Sequence, residues 1–223
     1  MTNVSETYPM VQREVDNAGA TLVAVSKTKP TDQIMELYEL GHRDFGENRV
    51  AELVEKYEAL PKDINWHFIG HLQRNKVKYI APFVHLIHAV DSPRLLREIN
   101  KQGLRNERQI PVLLQYHIAD EESKYGLNPA QPAEIFNNES PSELKGVAIT
   151  GVMGMATYTD HDEQIAEEFG QLAETFRSLK QQYFSETAAF KHISMGMSGD
   201  YPIALQQGST MVRIGSLLFG ERD

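Results

Sequence analysis

The chain has 223 residues, a formal net charge of −9 and a sequence pI near 5.4. An acidic balance of this size argues against a broad basic face, so we expect no nucleic-acid partner. The sequence has no cysteine, which excludes disulfides and Cys-ligated zinc, and it shows neither a signal peptide nor an apolar stretch of about 20 residues, so we expect a cytoplasmic protein with no membrane partner.

Short apolar runs alternate with amphipathic helical patterns along the whole sequence, starting with a strand predicted at residues 21–25. Pro30 suits the start of the helix that follows, because its missing N–H costs nothing there. The second strand is predicted to end near Phe45, and six further strands are predicted at residues 66–69, 84–89, 110–116, 147–152, 192–194 and 210–214. The longest helix is predicted between the sixth and seventh strands, where Ile165, Phe169 and Leu172 fall on one face.

This alternation predicts the fold. Strands separated by helices pair in parallel through right-handed crossovers, and about eight such units in succession favour one closed TIM-like (β/α)8 barrel over an open α/β sheet. No linker rich in proline, glycine or serine divides the chain, so residues 1–223 are predicted to form a single domain. Active sites of such barrels lie where the strands end, which directs attention to the polar residues that follow each strand.

Lys27 stands at the carboxyl edge of the first apolar strand. A buried amine has a lowered pKa, which leaves it free for Schiff-base chemistry. The alternative is a lysine whose head group extends along the surface to solvent, which is what we expect of Lys29.

Two loops of small residues follow the last two strands, at residues 194–200 and 208–216. Barrels of this class bind phosphate there, because backbone N–H groups of small residues can approach an anion closely. Ser198 and Ser216 add hydroxyl donors. The alternative is a pair of glycine-bearing turns that hold no ligand. Arg213 lies inside the last apolar strand and needs a partner there, either a carboxylate or a ligand.

Asn48 follows the second strand and would share the rim of the barrel with Lys27, although asparagine is also a common helix N-cap. His67 and His71 are four residues apart, a spacing that binds zinc only on a helix. Because this stretch is predicted as strand and loop, the two side chains should diverge, and no metal site is expected from them.

Seven short segments spread over almost the whole chain are considered together: VSKTK at 25–29, FGEN at 45–48, WHFIG at 66–70, LQxNK at 72–76, ESKxG at 122–126, SMGMS at 194–198 and MVRIG at 211–215. Each segment alone is unspecific. Together, and in this order, they resemble the pyridoxal phosphate homeostasis proteins, whose barrel is of the alanine racemase N-terminal-domain type.

The resemblance implies a fold-type III barrel that binds pyridoxal 5′-phosphate (PLP). Lys27 matches the lysine that forms the internal aldimine with PLP, and Arg213 matches the arginine that faces the pyridine nitrogen. The other implied cofactor-binding residues, in the ring pocket and the two final loops, are Asn48, Ser194, Ser198, Gly215 and Ser216.

Three positions depart from the family pattern. Ser216 stands where threonine is frequent, and it keeps the hydroxyl group. His117 stands where asparagine is frequent, and Ala51 stands where glutamine is frequent. At those two positions the polar contact of the family is not assured.

The resemblance implies a monomeric carrier that holds PLP on Lys27 and passes it to PLP-dependent apo-enzymes in PLP homeostasis, with no established catalytic activity. Racemases of this fold use a second, β-rich domain and a tyrosine from the partner subunit. The sequence shows only the barrel, so PLP is expected to lie open to solvent. Two alternatives stay open: a small PLP-dependent amino-acid racemase, and a phosphate-binding barrel enzyme unrelated to PLP.

Overall fold

Eight parallel strands form a closed barrel in the computed structural model, which describes residues 4–120, 125–137 and 140–220. The strands are β1 (Thr21–Val25), β2 (Asp44–Glu47), β3 (Asn65–Phe68), β4 (Leu86–Val90), β5 (Ile110–Gln115), β6 (Val147–Met153), β7 (His192–Ser194) and β8 (Met211–Ile214). Each strand pairs with the next along the chain, and β8 pairs back with β1. The predicted closed (β/α)8 barrel is therefore confirmed.

Helices cover the outside of this barrel. They are α1 (Val4–Asn17), α2 (Thr31–Glu39), α3 (Val50–Ala59), α4 (Val77–Ile80), α5 (Pro93–Arg105), α6 (Asp162–Tyr183), α7 (Tyr201–Gln206) and α8 (Ser216–Phe219). The longest of them, α6, lies between β6 and β7, as predicted. Within the described ranges, no helix is both long enough and apolar enough to cross a bilayer.

The structure departs from the sequence prediction at the start of the fourth strand and in the helix near Gln73, among other boundaries. The fourth strand begins at Leu86 rather than at Val84, because the Val84 N–H still donates to the Ile80 carbonyl at 2.9 Å and closes the preceding helical turn. The helix predicted near Gln73 is divided into a 3-10 turn at Arg74–Lys76 and the short α4. Residues 122–124, which contribute to the family resemblance, lie outside the described residues.

Apolar side chains form two packed layers. The larger layer lies between the barrel and the helices and contains fully buried Phe45 and Phe169. The smaller layer, inside the barrel, consists mainly of strand residues: Val23, Leu86, Ala89, Leu113, Met153 and Met211. Residues paired in register in a parallel ladder point to the same side of the sheet. Arg213 is the register partner of Val23, so its side chain also points into the barrel.

Replacing Gly103 in α5 by alanine is expected to destabilise the barrel. An added Cβ would lie 1.8 Å from the carbonyl oxygen of Gly146, which is backbone and cannot rotate aside. In a helix, alanine is normally more stable than glycine by about 1 kcal/mol. At Gly103 the steric overlap outweighs this gain, so we expect the free energy of unfolding to fall by roughly 1–3 kcal/mol.

The matched control is Gly170→Ala in α6. There the nearest atom, Gln207 Oε1, lies at an ordinary contact distance of 3.7 Å from the added carbon. The control variant should gain up to about 1 kcal/mol. Urea denaturation of both variants measures the difference, and equal midpoints would contradict the overlap at Gly103.

Candidate functional site

Lys27 lies in the turn that follows β1, at the end of the barrel where all eight strands have their carboxyl termini. The residue is half-buried. Thr28 has a left-handed backbone with a φ of 64°, and its N–H donates to Glu52 Oε1 at 2.6 Å. The Lys29 N–H donates to the Ser26 carbonyl at 3.0 Å. The backbone that carries Lys27 is therefore fixed both by α3 and by its own turn.

A buried ionic network lies behind this turn. Lys56 Nζ donates to Glu47 Oε1 at 2.7 Å and to Glu52 Oε1 at 2.8 Å. It also donates to the Ser26 carbonyl at 2.8 Å, while Ser26 Oγ donates to Glu47 Oε1 at 2.7 Å. Burial raises the pKa of Glu47, and the charge of Lys56 opposes that change. Lys56 was not among the predicted site residues. Its spacing of four from Glu52 on one helix is the feature of the sequence that indicates an ion pair there.

The prediction that Lys29 extends into solvent is wrong. Its side chain is half-buried, and Nζ donates to the Phe219 carbonyl at 2.9 Å. Phe219 is the last residue of α8, where backbone carbonyls have no partner inside the helix. Lys29 thus satisfies one of these carbonyls and connects the turn after β1 to the last helix.

Asn48 directly follows β2, and its Oδ1 is buried with no hydrogen-bond partner among the described residues. The N-cap position of α3 belongs to Arg49, so the alternative in which Asn48 is the cap is wrong. A Cβ on Gly70 would lie 2.3 Å from the Asn48 carbonyl oxygen, so glycine allows the loop after β3 to lie directly against Asn48. A buried amide oxygen of this kind is a group that a ligand can satisfy.

Asn48 also lines a cavity of about 620 Å³ next to α3. Ala51 and Val54 contribute to its wall from α3, and Phe68 contributes from the end of β3. Ala51 offers only a methyl group here, so this position contributes no polar side-chain group to the cavity.

The two loops after β7 and β8 are joined by hydrogen bonds. The Gly215 N–H donates to Ser198 Oγ at 3.2 Å, and the Arg213 N–H donates to the Gly196 carbonyl at 2.9 Å. Gly196 has a φ of 95°, and a Cβ there would lie 2.6 Å from the Cβ of Ala204. The predicted pair of small-residue loops therefore meets at one place, with Ser198 and Gly215 in direct contact.

Arg213 is 4% exposed, and its guanidinium donates to two neutral acceptors. NH1 donates to Ser194 Oγ at 2.7 Å, and NH2 donates to the Gly154 carbonyl at 3.1 Å. Burial lowers the pKa of Arg213 to about 10, and the charge of Asp200 acts in the opposite direction. The guanidinium therefore stays charged near neutral pH. Ser194 is fully buried and acts as a support for Arg213.

His67 and His71 diverge, as the sequence predicts. His67 hydrogen bonds to His88 at 2.9 Å and to Asp44 at 3.0 Å. His71 lies 3.1 Å from an oxygen of Asp91 on another part of the barrel. The two histidines therefore do not share a ligand site with each other.

The end of β1 and the loop after β8 are in contact, and we call this contact the β1–β8 seam. A Cβ on Gly215 would lie 3.3 Å from both the carbonyl oxygen and the Cβ of Val25. The hydrogen bond from Lys29 to Phe219 lies along the same seam. The turn that carries Lys27 and the two loops that contain Ser198 and Gly215 therefore belong to one rim.

Comparison with known proteins agrees with this architecture. Residues 2–223 match the family model described as alanine racemase, N-terminal domain. A pyridoxal phosphate homeostasis protein of Aquifex aeolicus (strain VF5) is 40% identical over 225 residues, which cover 98% of this chain and 96% of that protein. The chain belongs to the pyridoxal phosphate homeostasis protein family. The Homo sapiens member of this family is 37% identical, over 91% of this chain and 76% of the human protein.

Solved structures extend the comparison to the backbone. PipY of Synechococcus elongatus PCC7942, solved with PLP bound, has a TM-score of 0.85 and 32% identity, covering 98% of this chain and 100% of PipY. An alanine racemase of Bartonella henselae has a TM-score of 0.72 at 17% identity, covering 98% of this chain and 58% of the racemase. The second likeness concerns the fold alone.

The positions at which this family member departs from the common pattern lie near the rim. Ser216 is exposed as the first residue of α8. His117 is half-buried just after β5, and its backbone N–H donates to the Leu127 carbonyl at 2.9 Å. At His117 the fixed contact with the neighbouring loop is thus made by the backbone, which any residue type provides.

Proposed function

We propose that this chain binds PLP through a covalent bond to Lys27 and serves as a PLP carrier in PLP homeostasis. The observation that carries the proposal is the β1–β8 seam. It joins the turn of Lys27 to the loop of Gly215, which is hydrogen-bonded to Ser198 in the loop after β7, so one rim offers an amine and an anion-binding site. The names of the relatives and the PLP-bound PipY structure support the same cofactor.

The side chains on this rim fit PLP. The unpartnered amide oxygen of Asn48 is suited to a polar ring substituent, since an asparagine can present either its oxygen or its nitrogen to a ligand. Ser198 Oγ accepts from the Gly215 N–H and keeps its own proton to donate to a phosphate oxygen. We assign Ser216 and the adjacent backbone to the same phosphate site.

The cofactor supplies an aldehyde that condenses reversibly with a primary amine. Lys27 would provide that amine from a fixed turn. Arg213 would hold a neighbouring ring nitrogen unprotonated, because two cations in a buried site repel each other. Ser194 and the Gly154 carbonyl would keep the guanidinium in place for this role.

The test of the proposed function is a titration of the purified chain with PLP, followed by borohydride reduction and peptide mapping. We expect a visible absorption band that saturates, and label on the peptide that contains Lys27. A protein that stays colourless would overturn the proposal and favour a barrel unrelated to PLP. Label confined to exposed lysines such as Lys76, Lys78 and Lys101 would overturn the site assignment.

Carriage is tested separately from binding. The PLP-loaded chain is mixed with a PLP-dependent apo-enzyme in the presence of a phosphatase that destroys free PLP. Activity of the acceptor enzyme should recover when the loaded chain is the source and fail to recover when free PLP is the source. If the acceptor enzyme fails to recover activity with either source of PLP, carriage is contradicted.

The alternative function, a small PLP-dependent racemase, is tested by a separate assay. Interconversion of D- and L-amino acids at a rate well above that with free PLP would identify a racemase.

Replacing Ser198 by alanine is expected to weaken PLP binding through the phosphate alone. A hydrogen bond to a charged group contributes about 1.5–3 kcal/mol, so the Kd for PLP should rise roughly tenfold or more. Pyridoxal, which lacks the phosphate, should bind both proteins equally. Both constants are measured by absorbance titration, and an equal loss for pyridoxal would contradict the assignment of Ser198 to the phosphate.

A further inference from the structure

Asp44, His67 and His85 form a cluster at the amino-terminal end of the barrel, opposite the rim that carries Lys27. Each residue offers one nitrogen or oxygen atom, and these three atoms all lie within 4.8 Å of one another. One pair, His67 Nε2 and Asp44 Oδ1, is separated by 3.0 Å. The three residues lie at the start of β2, within β3 and immediately before β4, so three neighbouring strands hold the cluster.

The buried side of this cluster is supported by further side chains. His67 Nδ1 lies 2.9 Å from His88 Nε2, and His88 Nδ1 lies 2.9 Å from Ser194 Oγ. A histidine that binds a metal usually uses its second ring nitrogen for a hydrogen bond of this kind, which fixes the ring and its tautomer. His88 therefore already fixes the orientation of the His67 ring, with Nε2 directed toward Asp44.

The open side of the cluster faces solvent. His85 is exposed, and the side chain of Asp44 is 26% exposed, whereas His67 is buried. Two imidazoles and one carboxylate form a ligand set that zinc and other first-row transition metals accept, with a further position left for water.

We propose that Asp44, His67 and His85 bind a divalent transition-metal ion of the zinc type at the base of the barrel. The spacing of His67 and His71 in the sequence gives no hint of this site, because His67 acts with residues of two other strands. The site is distinct from the rim proposed for PLP and does not depend on that function.

Ion binding reverses the hydrogen bonds behind the cluster. Without an ion, the tautomer of His67 that donates from Nε2 to Asp44 accepts at Nδ1 from His88 Nε2. With an ion on Nε2, the proton of His67 moves to Nδ1 and that of His88 moves from Nε2 to Nδ1, with no proton gained or lost. Ser194 Oγ then accepts from both His88 and Arg213.

The test is equilibrium dialysis of the tag-free full chain with Zn²⁺, accompanied by absorption spectra with Co²⁺. We expect one equivalent of Zn²⁺ at micromolar concentration and a d–d spectrum of nitrogen and oxygen ligands. His85→Gln removes an exposed ligand without disturbing the barrel interior and should weaken binding by roughly tenfold or more. In ¹⁵N NMR spectra, Zn²⁺ should move the His67 proton from Nε2 to Nδ1.

His71→Gln is the matched control, since His71 is an exposed histidine paired with one carboxylate, Asp91, at 3.1 Å. This variant should bind Zn²⁺ as the parent does. The proposal is overturned if the parent chain binds no stoichiometric Zn²⁺. It is also overturned if His85→Gln leaves binding unchanged or if His71→Gln weakens binding equally.

Discussion

The Lys27→Ala protein is expected to stay colourless when PLP is added, because the variant lacks the amine to which we assign the covalent bond. Lys29, two residues on, already donates its Nζ to the Phe219 carbonyl. Covalent attachment should therefore disappear completely rather than weaken. Absorbance after removal of free PLP, together with the mass of the borohydride-reduced protein, measures the effect.

Lys29→Ala is the control for this prediction. It removes a lysine from the same turn and breaks one hydrogen bond to α8, so we expect a small loss of stability, about 1 kcal/mol, and retention of the visible band. Retention of the band in Lys27→Ala, or its loss in Lys29→Ala alone, would show that the assignment of the two lysines is wrong.

The second large effect is expected for Lys56→Met. Its Nζ contacts Glu47, Glu52 and the Ser26 carbonyl, and its side chain is only 6% exposed. Removing one partner of a buried ion pair leaves an uncompensated charge and costs about 3–5 kcal/mol. Chemical denaturation should show this loss, and PLP binding should weaken as well because Glu52 and Ser26 anchor the Lys27 turn.

The loss should depend on pH. Burial raises the pKa of Glu47 above its ordinary value. A carboxyl group with a raised folded-state pKa contributes stability below its unfolded pKa, and this contribution is lost as pH rises through the folded value. Without Lys56 the folded pKa rises further, so the deficit of Lys56→Met should be largest above that folded pKa and should shrink as pH falls through it.

Lys101→Met serves as the comparison, because Lys101 is exposed and lies 3.9 Å from Glu98. The same change of charge at that surface position should alter the free energy of unfolding by no more than about 0.5 kcal/mol. A similar loss in both variants, or a deficit in Lys56→Met that is independent of pH, would contradict a specific role for the buried pair.

The fold could be predicted from the sequence because most strands are short apolar runs and the longer helices carry one apolar face. The same rules located the turn of Lys27 and the two final loops, since strand ends follow directly from strand positions. The start of β4 was misplaced because Val84 is apolar in either structure. Its backbone bond to Ile80, rather than its side chain, decides that it closes a helical turn.

Some residues of the rim around Lys27 and of the proposed metal site were not predicted, because they come together only through tertiary contacts. The sequence predicts Lys56 as an exposed helix residue, since lysine is rarely buried. Its burial is tolerable because Glu47, Glu52 and the Ser26 carbonyl all accept from Nζ. Asp44 and His85 lie 41 positions apart in the sequence and become neighbours through His67 on the intervening strand. No short sequence motif indicates that these three residues lie close together.

The β1–β8 seam has a consequence for the order of events during synthesis. Lys27 leaves the ribosome early, whereas Ser198 and Gly215 leave it late, so the amine and the two loops proposed to bind the phosphate of PLP cannot cooperate on a partial chain. A ligand that contacts both sides of the β1–β8 seam therefore binds only the closed barrel. By mass action, such a ligand stabilises the whole folded barrel against unfolding rather than one local segment.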